Sequence, residues 1–302
     1  MNSRRVEIIL IIAFLFLDLF LGSVLYDRYN ASTNGSNNSS IEITEEMEAS
    51  GITYPEFEEI EHELPYVQAD SNTLLQDNMT PLTEQSGNFN SDGTLYVSIL
   101  SNPIELSEGT ELNESDIQTI RDFLDSENVL YGESYEYLDY FPSTQQVRYA
   151  QTINGIPITD GTSSITFYFD SQWNIISYEQ TYIGEVSAQG DAEKLITDKQ
   201  AVETLFQNNN IPDNATVSMP KLSYYRTLNL DDVNLYVPSW YIKITVDNSP
   251  TIYHVSAIDG TVLTQSRSSE ESDGEETESE ESEETSIETN NQANQTNANI
   301  NY

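Results

Sequence analysis

The sequence has no cysteine and very few basic residues. Its 302 residues include 11 Lys and Arg against 51 Asp and Glu, which gives a formal net charge of −40. Without cysteine, disulfides, thiol catalysis and Cys-ligated metal sites are excluded. The shortage of basic side chains argues against nucleic acid as a partner, because phosphate binding needs clustered Lys and Arg. An anionic membrane surface would repel the acidic part of the chain for the same reason.

Motifs of the common enzyme classes are missing as well. The sequence contains no G-x-S-x-G, H-E-x-x-H, P-loop or G-x-G-x-x-G pattern. Of its two histidines, His62 lies in the acidic stretch "EIEHELP", which is predicted to be helical and solvated, with weak cation binding as the alternative. His254 is predicted to be an ordinary strand residue. Acidic residues are so frequent that a pair of them does not indicate a hydrolase. We therefore expect a protein that is not an enzyme and that holds no cofactor and no metal.

The N-terminus carries a long apolar run. Arg4 and Arg5 precede residues 6–25, of which fifteen are Val, Ile, Leu or Phe. Together these favour membrane insertion by about 5 to 9 kcal/mol, and the acidic Asp18 opposes it by about 3 kcal/mol. We expect residues 6–26 to form a transmembrane signal anchor, with residues 1–5 in the cytoplasm. A cleaved signal peptide is the alternative, but its apolar region is usually shorter and ends in an A-x-A-like site.

Asp18 lies inside that run, in the stretch "FLFLDLFLG". It is either a tolerated polar residue or a hydrogen-bonding group for a partner helix in the membrane. In the second case, the glycine on its face would allow a close approach of the two helices. Helical spacing predicts that the face in contact with a partner consists of Ile11, Phe14, Leu15, Asp18, Leu21, Gly22 and Leu25.

Two low-complexity stretches flank the central part of the chain. The polar stretch "NASTNGSNNSS" predicts a flexible tether over residues 27–40. From Ser268 to Glu288 the sequence has eleven acidic residues and no basic one, so residues 267–302 are predicted to be a disordered acidic tail. A solvating role is the simplest interpretation of the tail, and loose binding of divalent cations or of a basic partner is the alternative. The folded part is then roughly residues 41–266.

Inside that part, a pattern of one helix followed by several strands occurs twice. The first helix is predicted in "SDIQTIRDFLDSENV", with Ser115 and Gln118 as its capping box. The second is predicted in "TDKQAVETLFQNNNIP", with Thr197 and Gln200 in the same roles. Strand patterns such as "QVRYAQTI" and "SSITFYFD" follow the first helix, and "LYVPSWYIKITV" and "TIYHVSAI" follow the second. The sequence therefore predicts an α+β fold of two repeated helix-plus-antiparallel-sheet units.

The two tryptophans belong to these predicted units, which span about residues 41–185 and 190–266. Trp173 begins a strand of the first unit, and Trp240 lies within a strand of the second. Each is predicted either to pack in the core or to anchor an interface with a partner, because tryptophan is frequent in both places.

Three features together carry a resemblance to a known protein family. They are the Arg-flanked N-terminus with "FLFLDLFLG", the block "GIPITDGTSSITFYFDSQWNIISYEQTYI", and the strands "SYYRTL…VPSWYIKITV…YHVSAIDGTV". The last feature alone is less specific, because PepSY-type domains end in a similar pattern. In combination, over roughly residues 1–266, the sequence resembles the YycI (WalI) regulatory proteins of Gram-positive bacteria.

The resemblance implies a regulator and not an enzyme. Such proteins act with a sister protein, YycH, on the membrane-bound sensor histidine kinase WalK (YycG), which controls cell-wall metabolism. We therefore expect a single-pass protein of the cell membrane that contacts lipid, WalK and YycH, with its C-terminal α+β domain outside the cell. Two alternatives stay open: a PepSY-like extracellular inhibitor or chaperone of a secreted protease, and a wall-associated hydrolase that uses carboxylates.

Overall fold

Two antiparallel sheets form the framework of the protein. The computed structural model describes residues 14, 17, 18, 20–23, 36–80, 82–107, 112–230 and 232–263. From residue 36 onward, the α-helices of the described part are α1 (Ser36–Ala49), α2 (Leu74–Asn78), α3 (Glu114–Leu124) and α4 (Asp198–Gln207). The sheets are mostly antiparallel and the helices are few, which confirms the predicted α+β class.

The first sheet is built from strands that follow one another along the chain. Its order is β2-β3-β8-β7-β5-β4, and β6 pairs with β5. The strands are β2 (Gln85–Phe89), β3 (Leu95–Glu105), β4 (Tyr135–Phe141), β5 (Gln146–Ile153), β6 (Ile156–Pro157), β7 (Ser164–Phe169) and β8 (Asn174–Thr181).

The second sheet combines the C-terminal strands with one strand from near the N-terminus. Its order is β14-β13-β12-β1-β9, and β10 and β11 also pair with the long strand β12. The strands are β1 (Glu63–Asp70), β9 (Val186–Lys194), β10 (Thr216–Val217), β11 (Lys221–Asn229), β12 (Val233–Val246), β13 (Ser249–Ser256) and β14 (Val262–Leu263).

Side chains alternate between the two faces along each strand, and those on one face of the first sheet form an aromatic core. Tyr149, Phe167 and Tyr178 are fully buried on that face. They pack against Ile120 and Leu124 of α3, which covers the sheet. The residues between them in sequence point to the opposite face, because successive side chains of a strand alternate. That opposite face is turned toward the second sheet.

Helix α3 begins two residues before its predicted start. Its N-cap is Asn113, whose side-chain oxygen accepts a hydrogen bond from the Asp116 backbone N–H at 3.0 Å. Asp116 in turn accepts one from the backbone N–H of Asn113 at 3.1 Å, which completes a capping box. The predicted pair, Ser115 and Gln118, is therefore wrong. Asparagine is among the strongest N-cap residues, and the short Asp side chain replaces the Glu or Gln of the usual pattern.

The core of the second sheet lies beneath α1 and α4. Val202 and Leu205 of α4 pack with Met47 of α1 and with Trp240 and Ile242 of β12. The predicted capping box of α4 is confirmed: the Thr197 hydroxyl oxygen accepts from the Gln200 backbone N–H, and the Gln200 side chain accepts from that of Thr197. Each sheet is thus covered on one face by helices.

The N-terminal part of the fold differs from the prediction in three places. Residues 36–40, predicted as tether, belong to α1, because a helix anchored by its buried C-terminal half extends easily toward its start. Residues 41–70, predicted in the first unit, contribute most of α1 and all of β1 to the second sheet and its core, where Val67 pairs with Tyr236. His62 lies outside any helix, just before β1.

The predicted membrane anchor lies mostly outside the described residues. Within the described part of the chain, no helix is long and apolar enough to cross a membrane. The predicted cytoplasmic residues 1–5, most of the tether and the acidic tail at 267–302 also lie outside the described residues.

Candidate functional site

The predicted contact face of the N-terminal helix is described at four of its seven positions. Phe14, Asp18, Leu21 and Gly22 are helical and exposed, with Phe14 59% and Leu21 55% accessible. A methyl group added to Gly22 would meet no atom within 4 Å. The apolar side chains described in this segment, Phe14, Leu17, Phe20 and Leu21, are therefore exposed instead of packed into the fold. The other three predicted positions, Ile11, Leu15 and Leu25, lie outside the described residues.

Trp240 is a core residue of the second sheet. Only 5% of its surface is accessible. Its indole N–H donates a hydrogen bond to the backbone oxygen of Ile196 at 3.0 Å. Its ring also meets the ring of His62 edge-on, with centroids 6.2 Å apart. The structure thus places Trp240 beneath the surface, with its one polar atom satisfied.

Trp173 lies in the turn between β7 and β8. Its backbone is left-handed, with φ of 64°, a conformation that favours glycine or asparagine. The turn is closed by Asp170, whose carboxylate accepts hydrogen bonds from the backbone N–H of Gln172 and of Asn174. These bonds, led by the one from Asn174, lower the pKa of Asp170. The Trp173 ring lies about 6 Å from the rings of Tyr140 and Phe169 and remains partly exposed.

A cleft of about 640 Å³ opens between the two sheets. The face of the first sheet that is turned toward the second sheet contributes Arg148, Thr166 and Glu179, and the second sheet contributes Tyr225 and His254. Arg148 lies directly opposite Thr166 in the strand register, and Thr166 lies opposite Glu179. The three side chains therefore form one row across β5, β7 and β8.

Glu179 is oriented by a neighbouring tyrosine. The Tyr168 hydroxyl donates a hydrogen bond to a Glu179 carboxylate oxygen at 2.8 Å. Burial, together with this carboxylate, raises the pKa of Tyr168 to about 12, so the hydroxyl keeps its proton. Glu179 thus holds a fixed position at one end of the row, and Arg148 lies at the other end.

His254 is a neutral imidazole in the wall of the cleft. Its Nε2 lies 3.0 Å from the Thr159 hydroxyl, and its ring is in contact with Tyr225, with centroids 4.4 Å apart. Burial lowers its pKa to about 4, because a charged ring loses its hydration there. The nearby charge of Arg148 acts in the same direction.

The state of His254 leads to a testable pH dependence. Between pH 6.5 and 4 the unfolded chain binds a proton at His254 that the folded chain does not bind, so acid weakens the fold through this group. We expect the stability of the wild type, relative to His254→Gln, to fall by about 3 kcal/mol over that interval. Urea unfolding at a series of pH values measures this difference. A difference that stays constant with pH would contradict the assignment.

An ionic cluster with the buried Asp139 at its centre joins the two sheets beside the cleft. Asp139 of β4 lies 2.6 Å from the Lys243 ammonium of β12 and accepts a hydrogen bond from the Tyr241 hydroxyl at 3.2 Å. The Lys221 ammonium donates to the backbone oxygen of Leu138. Burial lowers the pKa of Lys221, and the negative charge of Asp139 opposes that shift. Asp139 is therefore the counter-charge for two lysines.

The cleft could not be found as a sequence motif. Its row of side chains comes from three strands, and the opposite wall comes from β11 and β13. One signal was present: in "QVRYAQTI" strand alternation places Arg148 on the face opposite Val147 and Tyr149. Within the described residues no group of three or more His, Asp or Glu side chains could hold a metal ion.

Comparisons with known proteins give one family, and the structural matches include two distant proteins. A family model described as YycI protein matches residues 30–258. No curated protein matches the chain. An uncharacterized protein from Eubacterium rectale ATCC 33656 shares 10% identity with a TM-score of 0.39, covering 70% of this chain and 89% of that one. The Bacillus megaterium YpeB C-terminal domain shares 12% identity with a TM-score of 0.31, covering 75% of this chain and 95% of that one.

Proposed function

Because this chain belongs to the YycI family, we propose that it is a membrane-anchored accessory regulator of the sensor kinase WalK (YycG) that acts together with YycH. Membership of the family implies regulation of the WalK/YycG two-component system. Beyond this role, the proposal is that the chain is anchored in the membrane, contacts YycH and has its C-terminal domain outside the cell. The observation that carries it is the family match over residues 30–258.

The exposed N-terminal helix supports a role in helix–helix contacts. Phe14 and Leu21 expose apolar surface, and Asp18 lies at helical spacing from both. In a membrane, an interhelical hydrogen bond to Asp18 would stabilise association by about 0.6 to 2 kcal/mol. Gly22 leaves open space for a neighbouring backbone.

Regulation by such contacts works through a shift of populations. A regulator that binds two states of a kinase with different affinities moves their ratio by that difference and by no more. A difference of 1.4 kcal/mol changes the ratio about tenfold. One or two hydrogen bonds made in only one kinase state are therefore enough to change the output of the kinase.

The anchor is tested by exchanging Asp18. We expect Asp18→Leu to lower the recovery of WalK and YycH with the solubilised protein by about three- to thirtyfold, because the interhelical hydrogen bond is lost. Asp18→Asn keeps a hydrogen-bonding amide and should retain most of the recovery. Phe20→Leu, on the opposite side of the helix, is the matched control. Kinase output in cells gives the second measurement.

Two outcomes would refute parts of this proposal. Equal recovery of WalK and YycH with a scrambled anchor would show that helix contacts carry none of the association. Restoration of kinase signalling by an exported fragment of residues 36–266 without the anchor would favour a PepSY-like module, in which the outer domain suffices.

A further inference from the structure

We propose that the cleft between the two sheets binds a short peptide with free termini, its carboxylate at Arg148 and its ammonium group at Glu179. This inference is independent of the proposed role in kinase regulation. It rests on the charges and the unpaired hydrogen-bonding groups that meet in the cleft.

Arg148 is a cation without an acidic partner in a very acidic chain. In the part of the chain that the structure describes, the other arginines form ion pairs, Arg121 with Glu136 and Arg226 with Asp160. Asp139 lies opposite Arg148 in the strand register, but it forms its ion pair with Lys243, at 2.6 Å. The Arg148 guanidinium instead lies over the Phe141 ring, 5.3 Å from its centroid. Its planar fork of N–H groups is therefore available for a carboxylate.

Two residues that line the same cleft are mostly buried, and their hydroxyls have no hydrogen-bond partner among the described residues. The residues are Thr166, which is 8% accessible, and Tyr225, which is 3% accessible. Neither hydroxyl is among the buried polar atoms that lack a partner, so both reach the open cleft, where they are free to bond a polar ligand. Thr166 lies next to Arg148 in the row, where its hydroxyl can donate to the same carboxylate.

The opposite end of the row suits a cation. Glu179 lies two strands from Arg148, and a strand spacing of about 4.8 Å puts their backbones about 10 Å apart. An extended chain rises about 3.3 to 3.6 Å per residue, so two or three residues span that distance. The ammonium group of such a peptide can then meet the Glu179 carboxylate while its carboxylate meets Arg148.

The rest of the cleft fits a peptide better than a phosphate. A volume of about 640 Å³ lies in the range of small-molecule sites. Leu95, Ile252 and Leu263 add apolar lining for side chains. A doubly charged phosphate would have one unpaired cation, Arg148, and would be repelled by Glu179. A peptide with free termini instead places its negative carboxylate near Arg148 and its positive ammonium group near Glu179.

Binding is tested with the full-length chain in detergent, titrated with di- and tripeptides of varied side chains and followed by calorimetry. We expect at least one peptide to bind, and its C-terminal amide and its N-acetylated form each to bind at least about tenfold more weakly, because a charge-assisted hydrogen bond is lost. Failure of every peptide to bind would overturn the proposal. Inorganic phosphate that binds as tightly as the best peptide would overturn the choice of ligand.

Variants locate the two ends of the ligand. Arg148→Gln should weaken the free peptide about tenfold or more and should leave the weak binding of the amide unchanged. Glu179→Gln should weaken the free peptide but not the N-acetylated form. Arg121→Gln is the matched control, because this arginine lies beside the other face of the first sheet. Equal effects of Arg148→Gln and Arg121→Gln would contradict the site.

Discussion

Replacing Trp240 with alanine is expected to lower the free energy of unfolding by about 3 to 5 kcal/mol. The indole is almost completely buried between β12 and the helices that cover the second sheet. Its removal leaves a cavity, and the backbone oxygen of Ile196 loses its donor. For a domain of this size, such a loss lowers the melting temperature by about 10 °C. Far-UV circular dichroism measures the change without depending on tryptophan emission.

The matched control for Trp240 is Trp173→Ala. This ring rests on Tyr140 and Phe169 at the edge of the first sheet and is partly exposed. We expect a loss of about 1 to 2 kcal/mol, because less apolar surface is removed from the core. Equal losses at the two positions would show that Trp240 is not the more deeply packed residue.

Replacing Asp139 with asparagine is expected to cost about 3 kcal/mol. The side chain keeps its shape, but the mostly buried ammonium group of Lys243 loses its counter-charge, and the more exposed Lys221 loses a nearby negative charge. Removal of one partner of a buried pair is costly because the remaining charge has neither water nor a partner. The deficit should shrink as the pH is raised toward 10, since burial lowers the pKa of Lys221 and the neutral amine needs no counter-charge.

A surface ion pair supplies the control for Asp139. Lys194 lies 2.7 Å from Glu61, but both side chains are mostly exposed. We expect Lys194→Gln to change the free energy of unfolding by less than about 1 kcal/mol. The double variant of Asp139→Asn with Lys243→Gln should recover part of the loss, and the thermodynamic cycle gives the coupling between the two side chains. Additive losses would show that they do not interact.

Local patterns in the sequence predicted many of the elements. The stretch "QVRYAQTI" is β5, and the capping box at Thr197 marks the start of α4. Both follow from neighbouring residues: alternation defines a strand, and a short polar side chain followed by Gln three positions later defines a helix start. The error at α3 has the same origin, because Asn113 and Ser115 are both good caps and the local pattern does not decide between them.

The sheet of β1 and the residues of the cleft could not be predicted in this way. The stretch "ELPYVQAD" has the alternation of a strand, but its partners β12 and β9 are more than a hundred residues away. The row of Arg148, Thr166 and Glu179 likewise exists only after β5, β7 and β8 have paired. Such features depend on contacts between distant segments, which no local window of sequence contains.

The position of β1 also sets an order for events during synthesis. All strands of the first sheet lie between residues 85 and 181, so this sheet can assemble as soon as that part of the chain has been made. Val67 of β1 pairs with Tyr236, roughly 170 residues later. β1 therefore cannot join β12 until almost the whole folded region has emerged. A nascent chain that stops before β12 would have a complete first sheet and an N-terminal strand exposed to aggregation.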